Sequence, residues 1–509
     1  MSAGAIAMNR FGLGARRGEA APTDPKAWLL RQIDSFEPRP AVLATLPSTS
    51  EIARPYAALL DLQRAGRGNR GNRRQARQNA GSIEQIAERN EPADAMSALN
   101  GDDDTMTAGA RDNDPLGQAR RLARDDARGN YMRAVTARAQ LALTGPTPFA
   151  ERLVHFWSNH FAVSVEKLPI IGLAGPLEFD AIRPNLTGRF RDMLQAVERH
   201  PAMLLYLDQA ASIGPFSRVG MMTGRGGKRR NAAGLNENLA REILELHTLG
   251  VRSGYDQADV TEFARALTGW TVSGLVDDRA AEQVQIGGEP GRFVFADALH
   301  EPGPRRVLGQ TFAGQGEQQA ASVLDMLAVH PATATHIATK LARHFAGDAP
   351  PATLVARLET SFRDTDGDLA SLYRVLVEAP ECWTPGLVKF RTPWEWTIGT
   401  MRALGETEIR PQALNQLFNQ LGQQVWRPGS PAGFDDIADA WLGPDAIMRR
   451  VEAAERLAKG AGAALDARKL AADLHPGALG EATAQAIARA ESPSQALALL
   501  LVAPESMRR

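Results

Sequence analysis

Apolar residues recur at helical spacing along most of this 509-residue chain, and this periodicity limits its possible folds more than any other feature. Apolar residues three and four apart form one face of an α-helix, whereas strands require alternation. The pattern predicts helices at 118–143, 149–162, 177–184, 188–199, 201–208, 234–249, 257–268, 317–329, 332–346, 351–363, 368–378, 387–404, 411–421, 434–441, 444–459, 463–472 and 481–501. We therefore expect a mainly α fold, a multi-helix assembly.

One stretch departs from this periodicity. Between residues 271 and 312, short runs rich in β-branched and aromatic residues alternate with turn residues. Such runs are typical of strands. The runs are 271–272, 284–286, 293–295 and 306–308. The sequence therefore predicts a small β-hairpin element near 271–312.

Charge, cysteine content and hydropathy exclude several classes of protein. The 58 Lys and Arg residues nearly balance the 59 Asp and Glu residues, so no nucleic acid partner is expected. A single cysteine, Cys382, excludes an intramolecular disulfide and an all-cysteine metal cluster. No run approaches the roughly 20 apolar residues that a transmembrane helix needs. The first residues lack the features of a signal peptide, so the cytoplasm is the default location.

The length exceeds what one hydrophobic core usually serves, and the composition changes along the chain. From 64 to 115 the chain is rich in arginine, glycine, asparagine and acidic residues, so we predict a disordered insertion there. The expected units are an N-terminal helical segment (1–63), this insertion (64–115), a central helical core with a polar cluster (116–270), a small β region (271–312), a second helical unit (313–404) and C-terminal helices (405–509).

The first candidate site lies on the predicted helix around residues 236–247. On a regular helix, one polar stripe would contain Asn238, Arg241, Glu242 and Glu245. The rest of the surface is mostly apolar, so we expect a buried helix whose polar stripe finds partners inside the protein. The two glutamates could hold a divalent metal ion or act as an acid–base pair, with Arg241 beside them. The alternative is a structural network in which Arg241 neutralises both glutamates.

A second cluster surrounds His155. His155 and Asn159 share one helical face, whereas His160 points away from it and is interpreted as a satisfied core histidine. We expect a polar or metal-contacting role for His155 and a substrate-binding role for Asn159. His155 therefore joins Arg241 and the two glutamates as a candidate catalytic residue. It also completes the candidate metal ligands, which are His155, Asn238, Glu242 and Glu245.

A third cluster is basic. His336, Lys340 and Arg343 share one face of a predicted helix, and His300 lies on a loop upstream. A basic face of this kind suits a phosphate, sulfate or carboxylate group, so these four residues are candidate substrate-binding residues. A solvated or salt-bridged face is the alternative. The segment 389–396, which combines cations with tryptophans, is interpreted as core tryptophans flanked by salt bridges.

Several segments, in this order, resemble the large bacterial family known as domain of unknown function 1800. The matching segments are 8–14, 155–163, 199–208, 235–250, 254–270, 300–312, 336–345 and 365–369. The resemblance extends over nearly the whole chain apart from 64–115. The resemblance supplies neither a reaction nor a catalytic residue. It implies a partner of the alkaline-phosphatase/sulfatase-like type, and export to the periplasm as the alternative to the cytoplasm.

Two functional hypotheses follow from these observations. The first is a hydrolase or transferase with a buried pocket of His, Glu, Asn and Arg side chains, with or without a divalent metal ion. The second is a non-catalytic helical scaffold that binds a partner protein or an anionic polymer, because no known catalytic motif is present. A weaker third hypothesis makes the basic groups of 300–345 a nucleotide or phosphate site.

Overall fold

The structure, a computed structural model, describes residues 1–67, 115–224, 234–276, 284, 286–461, 465–475 and 479–509. The predicted insertion 64–115 therefore lies almost entirely outside the described residues, as does Gln285 of the predicted β region. The described chain is mainly α-helical and contains two small antiparallel sheets, which confirms the predicted fold class. The predicted unit boundaries stay a prediction.

Helices of eight or more residues form nearly half of the described chain. They are α1 (Pro25–Asp34), α2 (Thr49–Arg67), α3 (Pro115–Thr144), α4 (Pro148–His160), α5 (Phe190–Glu198), α6 (Gln257–Leu267), α7 (Glu317–Ala328), α8 (Pro331–Ala346), α9 (Ala352–Asp364), α10 (Leu369–Glu378), α11 (Pro393–Leu404), α12 (Pro411–Leu421), α13 (Pro444–Ala461), α14 (Ala467–Leu474), α15 (Glu481–Ala488) and α16 (Pro493–Leu501). Many begin with proline, whose fixed φ suits the first helical position and whose missing N–H is not needed there.

Shorter helical segments connect these helices. The α-helical ones are Ala3–Ile6, Ala41–Ala44, Leu168–Ile171, Ala174–Pro176, Pro201–Tyr206, Arg218–Gly224, Asn238–Glu242 and Pro504–Met507. The π-helical ones are Ala7–Phe11, Leu177–Ile182 and Ile243–His247. The 3₁₀ turns are Arg183–Asn185, Gln209–Ala211, Asp297–Leu299, Pro380–Trp383 and Ala438–Ala440. None of the helices in the described ranges combines the length and hydropathy needed to cross a lipid bilayer.

The β region forms two separate two-stranded sheets. The strands are β1 (Trp270–Val272), β2 (Phe293–Phe295), β3 (Arg305–Val307) and β4 (Gln310–Phe312). β1 pairs antiparallel with β2, and β3 pairs antiparallel with β4. Leu308 and Gly309 both have positive φ, at 49° and 76°, which is the backbone of the tight turn that closes β3 onto β4.

Two hydrophobic clusters hold the helices together. The larger cluster gathers buried side chains from Ile6 to Trp426, and the smaller one gathers mostly side chains from 390 to 507. Helix α11 contributes to both, with Trp394 in the larger cluster and Trp396 in the smaller one. This helix therefore ties the C-terminal helices to the rest of the described chain.

The segment around residue 240 is not the continuous α-helix that the sequence predicts over 234–249. It is a short α-helix, Asn238–Glu242, followed by the π-helical turn Ile243–His247. A π-helical turn has more residues per turn than an α-helix, so the side chains after Glu242 are rotated away from the predicted stripe. His247, the last residue of this turn, is fully buried, and its Nδ1 lies 2.8 Å from the Glu198 carboxylate.

Candidate functional site

A cavity of about 310 Å³ lies between α4, α8, α11 and the irregular segment 422–437. Its volume is at the lower end of the range for small-molecule sites. The polar side chains in its wall are Arg138, Arg152, His155, Ser158, Asn159, His160, His336, Lys340, Arg343, His344, Thr392, Glu395, Gln423, Gln424, Asp435 and Asp436. The predicted second cluster and most of the predicted basic cluster therefore meet in one cavity.

Helix α8 supplies four of these side chains because its two faces differ. The helix begins at Pro331, where the ring of His330 accepts a hydrogen bond from the Ala332 N–H at 3.1 Å and caps the first turn. Its apolar positions 337, 338, 341, 342 and 345 are buried in the larger hydrophobic cluster. The opposite face, spaced three and four residues apart, is left with His336, Lys340, Arg343 and His344.

His344 forms a dyad with Asp436. The Nδ1–H of His344 donates to the Asp436 carboxylate at 2.8 Å, and its Nε2 is buried without a hydrogen-bond partner in the described part of the chain. Burial lowers the pKa of His344 below its ordinary value, and the nearby carboxylate of Asp436 opposes this shift. Burial would raise the pKa of Asp436, but His344, Lys389 and Arg509 together lower it to about 2. At neutral pH the dyad therefore pairs a neutral imidazole with a carboxylate.

His155 has the opposite tautomer. Its Nδ1 accepts a hydrogen bond from the indole N–H of Trp394 at 3.2 Å, so the proton of the neutral ring is on Nε2. That Nε2 is buried and has no partner among the described residues. Burial and the nearby arginines, Arg138 foremost, hold the pKa of His155 well below its ordinary value. Among the described residues of the cavity wall, Nε2 of His344 is thus an unpaired hydrogen-bond acceptor, and Nε2–H of His155 is an unpaired donor.

The ammonium group of Lys340 is hydrogen bonded to the imidazole of His160. Its ammonium donates to Nδ1 of His160 at 2.9 Å, while Nε2–H of His160 donates to the carbonyl of His247 at 3.1 Å. Both nitrogens of His160 are therefore satisfied, as the sequence predicts for a core histidine, although the ring also lines the cavity. His336 donates from Nε2 to the carbonyl of Leu246 at 3.1 Å. Burial, reinforced by the charge of Lys340, lowers the pKa of His336 to about 4.

Two further arginines of the wall are already neutralised. Arg152 and Arg509 both contact Glu395, and all three side chains are buried. Arg138 lies 2.9 Å from Glu178, and its guanidinium stacks 4.4 Å from the ring centre of Trp394. Burial would raise the pKa of Glu395, but Arg509 and Arg152 hold it well below its ordinary value. These buried ion pairs therefore contribute Arg138, Arg152 and Glu395 to the cavity wall.

The side chain of Asn159 forms two hydrogen bonds with the backbone of the loop that contains Asp436. Its amide donates to the carbonyl of Phe434 at 2.8 Å, and its side-chain oxygen accepts from the N–H of Phe434 at 2.7 Å. Lys389 reaches the same loop, with its ammonium 3.2 Å from the Asp436 carboxylate and 2.8 Å from Asp348. Asn159 lines the cavity as predicted for a substrate ligand, but its side chain is engaged with protein backbone.

The first predicted cluster does not line the cavity. Asn238 is exposed, and Arg241, Glu242 and Glu245 are half-buried. Arg241 lies 3.3 Å from Glu237 and 3.7 Å from Glu245, so in the described chain an ion-pair network forms here that includes only one of the two predicted glutamates. Burial raises the pKa of Glu242, and the charge of Glu245 adds to the shift.

His300 is also outside the cavity. Its Nδ1–H donates to the carbonyl of Thr268 at 2.8 Å beside the end of α6. Neither it nor the first cluster is brought close to His155. Throughout the described ranges, no group of three or more His, Cys, Asp or Glu side chains is placed to hold a metal ion. Metal binding by His155, Asn238, Glu242 and Glu245, and substrate binding by His300, stay predictions.

Sequence reasoning did not select Asp436, His344 or Trp426. His344 directly follows Arg343 and lies near the predicted basic face, which is the one sequence pattern that could have pointed to it. Asp436 lies in the stretch 434–441, where the sequence predicts a helix but the structure has only the 3₁₀ turn Ala438–Ala440. Nothing local relates Asp436 to a histidine 92 residues earlier. Trp426 has a positive φ of 51°, and its indole N–H donates to Ser158 and Glu178, both at 3.2 Å.

Comparison with known proteins confirms the family resemblance noted in the sequence. No curated protein and no solved structure shows significant similarity to the chain. Residues 6–508 match the family described as Protein of unknown function (DUF1800). This match covers nearly the entire sequence, including every part of the cavity wall. The chain therefore belongs to the DUF1800 family.

Proposed function

We propose that the protein is an enzyme of the hydrolase or transferase type, and that His344 is its general base. The observation that carries this proposal is the hydrogen bond of 2.8 Å between His344 and Asp436, together with the buried, unpartnered Nε2 of the same ring. A carboxylate at Nδ1 fixes the tautomer that leaves the Nε2 lone pair free, and it stabilises the imidazolium that forms during reaction. The dyad lines a cavity large enough for a small substrate.

The proposed step is a proton transfer coupled to attack by an oxygen nucleophile. Nε2 of His344 takes the proton of a water or alcohol while its oxygen forms the new bond to the substrate. The bond to the leaving group breaks, and the imidazolium returns its proton to that group. Attack by water gives hydrolysis, and attack by an alcohol gives transfer. The Nε2–H of His155 is available to donate to an oxygen that gains negative charge.

His344→Gln tests this proposal. The purified full-length protein is assayed with p-nitrophenyl esters of phosphate, sulfate and acetate, and an added alcohol distinguishes transfer from hydrolysis. Loss of a general base typically lowers the rate by about a hundredfold to ten-thousandfold. Asp436→Asn should reduce the same activity, whereas His330→Gln, outside the cavity, should not. An unchanged rate in His344→Gln would contradict the proposal.

A second readout does not need the natural substrate. Nitrogen NMR of the histidine rings distinguishes the two neutral tautomers. We expect His344 to carry its proton on Nδ1 in the unaltered protein, because Asp436 accepts that hydrogen bond. In Asp436→Asn, the preference for this tautomer should weaken. The same tautomer population in both proteins would show that the dyad does not prepare the base.

Binding of a partner protein is a second candidate function, supported by a different surface. Phe216, Met221 and Met222 are 64%, 55% and 59% exposed. Large exposed apolar side chains close together in sequence are typical of interaction surfaces. An alkaline-phosphatase/sulfatase-like protein is the proposed partner. Replacing the three side chains with serine should abolish its co-purification at native expression, and hydrolysis should be unaffected.

A further inference from the structure

Two cations in the cavity wall are not paired with a carboxylate. Lys340 donates to a neutral imidazole, and Arg343 forms no ion pair or hydrogen bond with any residue that the structure describes. Arg343 follows Lys340 by three positions on α8, so both charges lie on the same side of the helix. Like charges at this spacing repel each other, and an anion between them would remove that cost.

Two of the three carboxylates in the wall are already engaged by other groups. Glu395 is shared by Arg152 and Arg509, and Asp436 is engaged by His344 and Lys389. Asp435 is exposed and has no ion pair in the described part of the chain. Within the described residues, neither Lys340 nor Arg343 therefore forms an ion pair with a carboxylate of the wall.

We infer that Lys340 and Arg343 bind the phosphoryl dianion of a small substrate in this cavity. The inference deepens the proposed function, because the same cavity contains the His344–Asp436 dyad. Two positive charges match a group that carries two negative charges, and a phosphate monoester is largely a dianion at neutral pH. The guanidinium of Arg343 offers paired donors that fit two oxygens of one phosphoryl group. Nε2–H of His155 supplies a further donor in the same wall.

Recognition of the rest of the substrate does not depend on stacking against Trp394. Arg138 lies 4.4 Å from the centre of that ring, and Phe418 stacks on it at 5.1 Å with an interplanar angle of 24°. The ring is thus already covered by protein groups. Discrimination by this cavity should depend on the charged group of the ligand more than on an aromatic portion.

His160 is a positioning residue in this arrangement. It accepts the hydrogen bond of Lys340 and is itself fixed by the carbonyl of His247, so the ammonium group is held in one orientation. The other charged and titratable groups that act on Lys340 are His336, Arg343 and Asp436. Burial lowers the pKa of Lys340 to about 8, with Asp436 opposing this shift and Arg343 adding to it. Affinity for an anion should therefore fall as the pH rises through about 8.

Calorimetric titration of the full-length protein with three phenyl compounds tests the inference. Phenylphosphonate, benzenesulfonate and benzoate share one ring but differ in charge and in the shape of the anion, and none contains a hydrolysable ester bond. Phenylphosphonate should bind most tightly at about pH 7.5. Lys340→Met and Arg343→Met should each weaken its binding by about tenfold or more, the usual effect of removing a charged hydrogen bond. Lys26→Met, on a surface lysine paired with Glu378, is the matched control.

Lys340→Arg keeps the charge and separates a loss of charge from a loss of folding. It should bind phenylphosphonate with an affinity that does not fall between about pH 7 and pH 9, unlike the unaltered protein. Absence of binding to the unaltered protein, equal affinity for the three compounds, or wild-type affinity in both methionine variants would overturn the inference.

The outcome for the proposed function is separate. His344→Gln should bind phenylphosphonate with normal affinity, because it leaves both cations in place. If His344→Gln also retains normal hydrolysis while Lys340→Met loses phosphonate binding, the anion site stands and the general base is wrong. If hydrolysis requires His344 but no phosphonate binding depends on Lys340 or Arg343, only the anion inference fails.

Discussion

Helix α8 and the segment 238–245 both carry several ionisable side chains beside buried apolar ones, but these groups meet different partners. In the segment 238–245, Arg241 reaches carboxylates only four residues away on either side, at 3.3 and 3.7 Å. On α8, Lys340 and His344 are hydrogen bonded to groups 180 and 92 residues away. The ion pairs of the first region are local and half-exposed, although Arg241 also donates to Gln257, 16 residues away, at 2.9 Å. The contacts of the second region join residues much farther apart in the sequence.

This difference favours α8 over the segment 238–245 as the proposed ligand-binding region. Local ion pairs on a half-exposed helix neutralise one another and leave no buried polar atom in need of a partner. The partners of α8 come from other elements and engage only one side of each group, so Nε2 of His344 stays buried and unpaired. An unpaired buried polar atom is costly in a folded protein unless a ligand or water completes it.

The largest expected effect concerns the buried charges behind the cavity. Glu395→Gln removes the carboxylate that contacts both Arg152 and Arg509, which are almost fully buried. Because two buried cations would lose their counter-charge, the free energy of unfolding should fall by about 3–5 kcal/mol. Urea denaturation measures this change. Glu378→Gln, in an exposed pair with Lys26, should change it by less than about 1 kcal/mol, and equal effects at the two sites would contradict the expected difference between buried and exposed ion pairs.

A smaller effect is expected from Asp436→Asn, and it depends on pH. The pKa of Asp436 is lowered to about 2 in the folded protein, so its carboxylate stabilises the fold at any pH above its unfolded pKa of about 4. This contribution, about 2 kcal/mol, should be lost as the pH falls from about 4 toward 2. The difference in unfolding free energy between Asp436→Asn and the unaltered protein should therefore be constant near neutrality and shrink in acid. Asp439→Asn, at an exposed position, should show no such pH dependence.

Most of the fold could be predicted because its determinants are local. The predicted helix 411–421 has the bounds of α12, and that over 257–268 ends one residue beyond α6. The helix predictions were wrong where the apolar periodicity continues across the end of one helix into the next. The predicted helix 481–501 is two helices, because Pro493 begins α16, and its ring cannot continue the helix before it. The π-helical turn 243–247 leaves no mark in the apolar spacing, so it could not be predicted.

The candidate site was predictable only in its helical parts. His155, Lys340 and Arg343 were each selected from a helical face, and the structure places all three in one wall. The tertiary fold decides which helical faces come into contact, and the sequence of either helix alone does not predict this. Asp436 lies in an irregular segment whose position depends on the two hydrogen bonds from Asn159 to Phe434. A residue of that kind is recognised only when its distant partner is known.

The substitutions with the smallest expected effects lie in the segment 238–245, and they test directly whether this segment differs from α8. Glu245→Gln removes one partly exposed ion pair with Arg241, so the free energy of unfolding should fall by less than about 1 kcal/mol. Glu242→Gln should leave it unchanged or raise it slightly, because burial already raises the pKa of Glu242 and makes its charged form unfavourable.

The pH dependence of Glu242→Gln follows from the same shift. The difference from the unaltered protein should disappear as the pH falls and Glu242 itself becomes protonated. Neither glutamine variant should change hydrolysis of the p-nitrophenyl esters or affinity for phenylphosphonate, since neither side chain lines the cavity. A hundredfold loss of hydrolysis in Glu242→Gln, with normal hydrolysis in His344→Gln, would contradict the proposal that the catalytic base lies on α8. The ion-pair network would then be the reactive region, and α8 would be structural.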